Sequence, residues 1–550
     1  MIKITSRLTI LLLTLLWICS SVANAQGKKL MTPEQPKLIV LLSVSQFRHD
    51  YISRYWDKFS DKGFRKLVNR GTYCKNTSYN YLISDKGVGT STIVTGAQPA
   101  SHGIVAASWY SDLKGQIIPA IYDEKANTVG GPFEAGKCSP HQLLSSTFSD
   151  EINLSNNFKS KVIGVSLEPA SAVLSAGHTA DAAYWFDIQN GNFISSSYYM
   201  DSLPGWVEEF NAKALPDSYM EQDWNLLLPL SEYSESLPDN NAYESGYDND
   251  IDFPYDISDI AKIYNKKERY SILNTIPSGN NLVKDFAIHA IVNDSLGYDK
   301  NTDVLFINFT ATEQIGHLFG PLSVEMEDAV LRLDKEIAHF LEFIESYVGT
   351  ENTLVLFTAE HGLPYSPEYL TDHKIPSGYF TSLSAVSLLK SYLNNVYGKG
   401  DWIKEYHTQQ IYLNRSLIES ADLKLSDFQN DIANLMLQFH GVQNTLTAHS
   451  LQNTDYSHGA FHKIQNGYNQ KRSGDVIIHL KHGWIEKHGR EIVSYGTDTR
   501  IPLIWYGWKI KRKTIISPVD LIDIAPTISV LLDISYPNAS TGVPIEEIIQ

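Results

Sequence analysis

The chain has 550 residues, 43% of them hydrophobic, with 31 Tyr, 10 Trp and a formal net charge of −17. That balance suits a large globular protein, long enough for several domains yet within reach of one large α/β unit. So acidic a surface repels phosphate backbones and anionic lipid heads, which excludes nucleic acid and charged membrane surfaces as expected partners.

In chain order, residues 1–25 read as an export signal. Lys3 and Arg7 give a basic start, Leu8 to Ile18 is a short apolar run, and Ala23-Asn24-Ala25 makes a small-x-small cleavage site before Gln26. Cys19 follows the bulky Ile18, where a lipid-attachment site wants a small residue. The apolar run is too short to span a bilayer, and no later stretch approaches ~20 uninterrupted apolar residues. The expectation is a periplasmic or extracellular chain with no transmembrane anchor, its residues 26–550 forming one α/β domain.

Six apolar runs then read as buried parallel strands: Leu38–Val44, Val162–Leu167, Val304–Phe309, Leu354–Thr358, Val476–Leu480 and Pro502–Tyr506. They are rich in Val, Ile and Leu on both faces, as strands covered by helices on each side must be. The clearest helix is Met326–Val348. Val330, Leu333, Ile337, Phe340, Leu341 and Ile344 make one stripe there, with Asp334, Lys335, Glu336 and Glu342 off it. Asp523-Ile524-Ala525-Pro526 opens another helix. Strands alternating with helices predict a doubly wound, mostly parallel sheet with helices on both faces. Two stretches break the rhythm, near 198–281 and 388–470, and are expected to be insertions forming a cap near one sheet edge. Cys74 and Cys138 are the only cysteines after the signal. They could form one disulfide in an oxidising compartment, a pairing the sequence does not decide, and they are too few for a Cys-rich zinc site.

Open α/β sheets bind ligands beyond the carboxyl ends of their strands. That rule directs attention to Ser45–Asp50, Ser84–Thr92, Glu168–Ser171, Thr310–His317, Ala359–His361 and Thr497–Arg500. The densest histidine region, His458, His462, His479, His482 and His488, has no spacing typical of zinc ligands and reads as solvated surface.

Those segments carry a resemblance. Ser43-Val44-Ser45-Gln46-Phe47-Arg48-His49-Asp50-Tyr51, Asn80 through Gly96, Ile315-Gly316-His317-Leu318-Phe319-Gly320-Pro321 and Thr358-Ala359-Glu360-His361-Gly362 resemble the metal-binding strand ends of the alkaline phosphatase superfamily. Gly177 through Asp187 and Ser196 through Asp201 are similar to the phosphate-irrepressible (PafA-type) branch of the type I phosphodiesterase group. The resemblance implies the alkaline-phosphatase-like α/β fold. It also implies two zinc ions held by carboxylates and imidazoles, with a Thr or Ser attacking phosphorus between them.

Aligned on those motifs, this chain departs from the implied site. The first Asp ligand falls on Ser45 and the nucleophile on Lys86. An Asp-x-x-x-His pair becomes Glu313 and His317, an Asp-His pair becomes Glu360 and His361, and the last His ligand becomes Arg500. Three phosphate-contacting positions become Ala107, Glu168 and Ala170. A guanidinium cannot ligate, and two ligands per site fall short of a zinc shell. With their partners replaced, His317 and His361 read as core histidines. Lys86 between carboxylates stays charged and is no nucleophile. The expectation from the substitutions is a catalytically inactive member of the family, without a cofactor, binding an unidentified protein partner in the cell envelope. Ion pairs Glu360–Lys86 and Glu313–Arg500 are expected in place of the metals. The alternative is an exported phosphomonoesterase or phosphodiesterase with a remodelled, zinc-containing site.

Overall fold

Nine strands define the main sheet: β1 (Leu38–Val44), β2 (Thr72–Ser78), β3 (Val162–Ser166), β4 (Ala182–Asp187), β5 (Asn192–Ser196), β6 (Asp303–Phe309), β7 (Thr353–Ala359), β8 (Arg500–Gly507) and β9 (Lys513–Ile515). They lie in the order β9-β2-β8-β7-β1-β6-β3-β4-β5, with Thr128–Val129 beyond β5 and Val519–Asp520 paired to β2. The computed structural model describes residues 34–131, 134–248, 250–263, 268–488, 491–493 and 499–550. The export signal expected over 1–25 lies outside these, as do Thr497 and Asp498, and the side chain of His488.

The centre, β7-β1-β6-β3-β4, is parallel throughout. Every residue of β1, β6 and β7 is buried, because helices cover both faces and leave neither for solvent. The mostly parallel, doubly wound sheet is as expected. Two strands are not. Pro502–Tyr506 lies within β8, which runs antiparallel to both β7 and β2. Val476–Leu480 belongs to a separate sheet, antiparallel to both Gln410–Leu413 and Val442–Thr447. An apolar run reports burial on two faces, and burial carries no information on strand direction.

That second sheet, with helices Ser382–Tyr397 and Leu425–Met436, has its own core around Leu389, Leu393, Phe428, Ile432 and Ile478. The 198–281 stretch instead shares the main core, through Phe210, Trp224, Tyr255 and Ile272. Four helices matter below: α1 (Lys86–Thr95), α2 (Pro169–Ala176), α3 (Ala311–Phe319) and α4 (Val324–Tyr347). The stripe of α4 is at most 1% exposed from Val330 to Ile344. Asp334, expected off that stripe, is also buried, because its carboxylate accepts the Ser60 and Phe64 amides at 2.7 and 2.6 Å and so anchors the helix opened by Phe64. Among the described residues no helix is long and apolar enough to cross a membrane.

Where α4 begins, it meets the 198–281 stretch through acids. Glu325 is fully buried and accepts the Tyr255 hydroxyl at 2.6 Å. One oxygen each of Asp239, Glu244 and Glu325 is buried without a hydrogen-bond partner. Burial, with neighbouring carboxylates, pushes Glu325 up to about 7 and Glu244 up to about 9. An acid raised in the folded state holds a proton that the unfolded chain releases. Its contribution is therefore present below the usual carboxylate range and lost as pH rises through the folded value. Stability is expected to fall between pH 5 and pH 8 from this cluster, by up to about 1.4 kcal/mol per pH unit for each acid that is still protonated. The Glu244→Gln/Glu325→Gln double variant should flatten that slope in urea titrations at each pH. An unchanged slope would show that the acids are ionised throughout.

Candidate functional site

Because the central strands are parallel, the carboxyl ends of β1, β3, β6 and β7 share one edge, and register aligns the polar residues there. Ser43 of β1 is level with Asn308 of β6 and Thr358 of β7. Ser45 follows β1, Glu168 follows β3, α3 follows β6, and Glu360 and His361 follow β7. Opposite them α1 begins at Lys86, its first turn opened by Asp85, whose carboxylate accepts the Val88 amide at 3.0 Å.

The Lys86 ammonium donates to Glu313 Oε2 at 3.0 Å and lies 3.5 Å from Glu168 Oε1. Glu313 and His317, one turn apart on α3, approach to 3.9 Å. The His317 Nε2 is also 3.1 Å from Gln46 Nε2. Glu360 is completely buried and accepts the Ser43 and Ser45 hydroxyls, each at 2.9 Å. The buried His361 directs Nδ1 at Gly362 O, 3.2 Å away, and its Nε2 has no hydrogen-bond partner.

Charge follows this geometry. Burial alone would raise Glu313, but Lys86 and the flanking imidazoles overcome it and hold the carboxyl well below the usual range. Burial alone would lower Lys86, but Glu313 and Glu168 keep it charged far into the alkaline range. Burial pushes Glu360 up to about 7 against the two serine hydroxyls. His361 is lowered, chiefly by burial, and Asp85 is raised for the same reason.

Ser45, Lys86, Glu168, Glu313, His317, Glu360 and His361 are thus brought to one edge. Ala107 reaches it through its amide, which faces Asp85, and Ala170 lies in the first turn of α2. The expected pairings differ. Lys86 takes Glu313, while Glu360 is held by hydroxyls. Glu313 takes Lys86 rather than Arg500, which is exposed at the start of β8 opposite Ser78. A lysine entering from the helix end meets α3 before it meets the strand floor. Sequence reasoning passed over Asp85, Ser43 and Asn308. Their signals were an Asp immediately before a helix, and single polar residues inside otherwise apolar strands. Cys74 and Cys138 are both free and buried, and burial pushes each thiol up to about 12. Of the expected surface histidines, His458 and His482 are exposed, and His462 and His479 half-buried.

Zinc, which the resemblance implies, needs about four ligands per ion. The unpartnered His361 Nε2 is a free ligand atom, but an ammonium stands 3.0 Å from Glu313. Among the described residues no three His, Cys, Asp or Glu side chains are grouped to hold a metal. As arranged, these residues do not fit the implied two-ion site.

The chain is 35% identical over 94% of its length to alkaline phosphatase PafA of Elizabethkingia meningoseptica, covering 95% of that protein. It is 36% identical over 94% to a protein named calcium-transporting ATPase from Myroides odoratus, again covering 95%. It is 35% identical over 97% to alkaline phosphatase PhoV of Synechococcus elongatus, covering 98%. A crystal structure of wild-type PafA superposes with a TM-score of 0.88 at 35% identity, covering 94% of this chain and 99% of that one. These relatives correct two expectations. A protein without activity was inferred from its substitutions, whereas PafA and PhoV are alkaline phosphatases and nothing in the comparisons shows a loss of activity. Absence of a cofactor was inferred likewise, whereas the family points to zinc, which becomes the metal to measure. The type I phosphodiesterase / nucleotide pyrophosphatase family matches residues 39–499, and on that match and these identities the chain belongs to it, within the alkaline phosphatase superfamily.

Proposed function

We propose that this protein is an exported hydrolase of phosphoric esters working with a remodelled site. The observation that carries the reading is the 35% identity to an alkaline phosphatase over 94% of the chain. Export rests on the basic start, short apolar run and small-x-small site of residues 1–25. The chain's own residues supply the rest. Lys86 presents a fixed cation at the start of α1, where the helix dipole also favours an anion. Held charged by Glu313, the ammonium binds and orients a phosphoryl oxygen and does not attack it. Glu168 faces the same space, 3.5 Å from the ammonium. A doubly charged monoester therefore meets more opposing charge than a singly charged diester, and the diester is the favoured substrate.

The test is hydrolysis of an aryl phosphate and an aryl phosphodiester by purified protein with added zinc, alongside elemental analysis. Saturable turnover is expected on both, with the higher kcat/KM on the diester. Losing the Lys86 cation in Lys86→Met should cost about 100-fold in kcat, the usual scale for one preorganised charge-stabilising group. Turnover that equals buffer, or that is identical in wild type and Lys86→Met, would overturn the reading.

A further inference from the structure

The amino end of β2 is remote from Ser78, which leads toward the Lys86 helix, and it borders a cavity of about 790 Å³ that the phosphoryl site does not use. This volume lies in the range of small-molecule sites, roughly 300–1,000 Å³. Its walls are of two kinds. Ile52 and Tyr73 are buried and form an apolar floor, beside the half-buried Trp56, whose indole carries the Arg65 guanidinium at 5.7 Å. Lys75, Arg512 and Lys513 stand exposed around it. Alternation along β2 puts Tyr73 and Lys75 on one face, and Thr514 of β9 is level with Tyr73, which brings the segment of Arg512 and Lys513 alongside.

Two features separate this place from ordinary surface. The protein carries a net charge of −17, yet three cations line one concavity. The single acid on its wall, Asp57, is fully exposed and points its charge to Arg65, 4.0 Å away. Among the described residues none of the three cations forms an ion pair. They are not held there by internal salt bridges, and a cleft with low-dielectric walls concentrates their field on whatever enters. Flat apolar walls under a cationic rim select a ligand with both a ring and a negative charge.

We propose that this cavity is a second ligand site, separate from the phosphoryl site, that takes an aromatic organic anion. Its ring system lies against Trp56, Tyr73 and Ile52, and its acidic group meets Lys75, Arg512 and Lys513. The inference does not depend on the hydrolase reading.

The test is calorimetric titration of the full chain with 1-naphthalenesulfonate, which has the ring and the charge but no ester bond to cleave. One-to-one binding is expected, weakened at least tenfold in Lys75→Glu/Arg512→Glu and in Trp56→Ala, and unchanged in Lys86→Met. Neutral 1-naphthalenemethanol and ring-free methanesulfonate should each bind at least tenfold more weakly. The two charge reversals are on exposed side chains, and unchanged melting would confirm that the fold is intact. Absence of binding would overturn the proposal. So would binding that Lys86→Met removes and Lys75→Glu/Arg512→Glu leaves intact, or equal binding of the neutral ring.

Discussion

Lys86→Met is expected to unfold at markedly lower denaturant than the wild type, with a loss of roughly 3 kcal/mol, the lower end of the range for breaking a buried ion pair. The side chains of Lys86 and Glu313 are only 19% and 12% exposed, so solvent cannot replace the ammonium once it is gone. Glu313 is left beside a half-exposed imidazole at 3.9 Å. The pH dependence identifies the cause. Glu313 is depressed from 4.5 and Lys86 raised from 10.5, so the pair contributes fully between about pH 4.5 and pH 10.5. The carboxylate's share is lost as pH falls through its lowered folded value, and the ammonium's share as pH rises through its elevated one. The variant should therefore lose less stability on acidification than the wild type. Glu313→Gln placed in the Lys86→Met background should restore most of the loss, because a neutral amide needs no counter-charge. A double variant no better than the single one would show that the cost came from lost packing.

Gly89→Ala is expected to cost about 2–3 kcal/mol, the scale of overpacking a filled interior. A Cβ at this position would sit 2.6 Å from Glu360 Cβ and 2.8 Å from the Glu360 carbonyl carbon. Neither neighbour is the tip of a flexible side chain. Both belong to the buried Glu360, directly after β7, so α1 must move instead. Lys86 lies on the adjacent turn of that helix and would be carried away from Glu313 and from any bound ester. An error of about 1 Å in such a group costs on the order of 100-fold in rate, and turnover should fall with stability. Gly87→Ala is the control. Its Cβ would meet Asp85 Oδ1 and Leu174 Cδ1 at 3.4 Å, which is ordinary contact, and no loss is expected. Equal behaviour of the two alanines would mean that α1 is not seated on β7 as described.

How much of this was legible in the residues varies with the kind of interaction. Leu38–Val44, Val304–Phe309 and Leu354–Thr358 read as inner strands because a strand covered on both faces has no polar alternation, and all three lie in the parallel centre. Pro502–Tyr506 and Val476–Leu480 read the same way and are buried too, save for the half-buried His479, but direction and sheet membership depend on connections that no local pattern encodes. The residues gathered at the site were legible from motifs and from the rule that ligands sit at strand ends. Their pairing was not, since whether Lys86 reaches Glu313 or Glu360 depends on which element its side chain meets first. Asp334 shows the same limit inside a helix. Its place in the periodicity said solvent, and its two amide partners, far away in sequence, put it in the core. Activity was least legible of all. Counting replaced ligands speaks only to the two-ion arrangement, and says nothing of whether a pocket with a fixed ammonium turns over an ester.

On this reading the ammonium of Lys86, pinned by Glu313, is where an ester's phosphoryl group binds. The direct measurement is a crystal structure of the protein soaked with vanadate and zinc, with anomalous data collected at the zinc edge. Vanadate density is expected within hydrogen-bonding distance of Lys86 Nζ at the start of α1, with Glu313 still in contact with the ammonium. Vanadate bound elsewhere, or two zinc ions occupying the space with Lys86 displaced from Glu313, would contradict it.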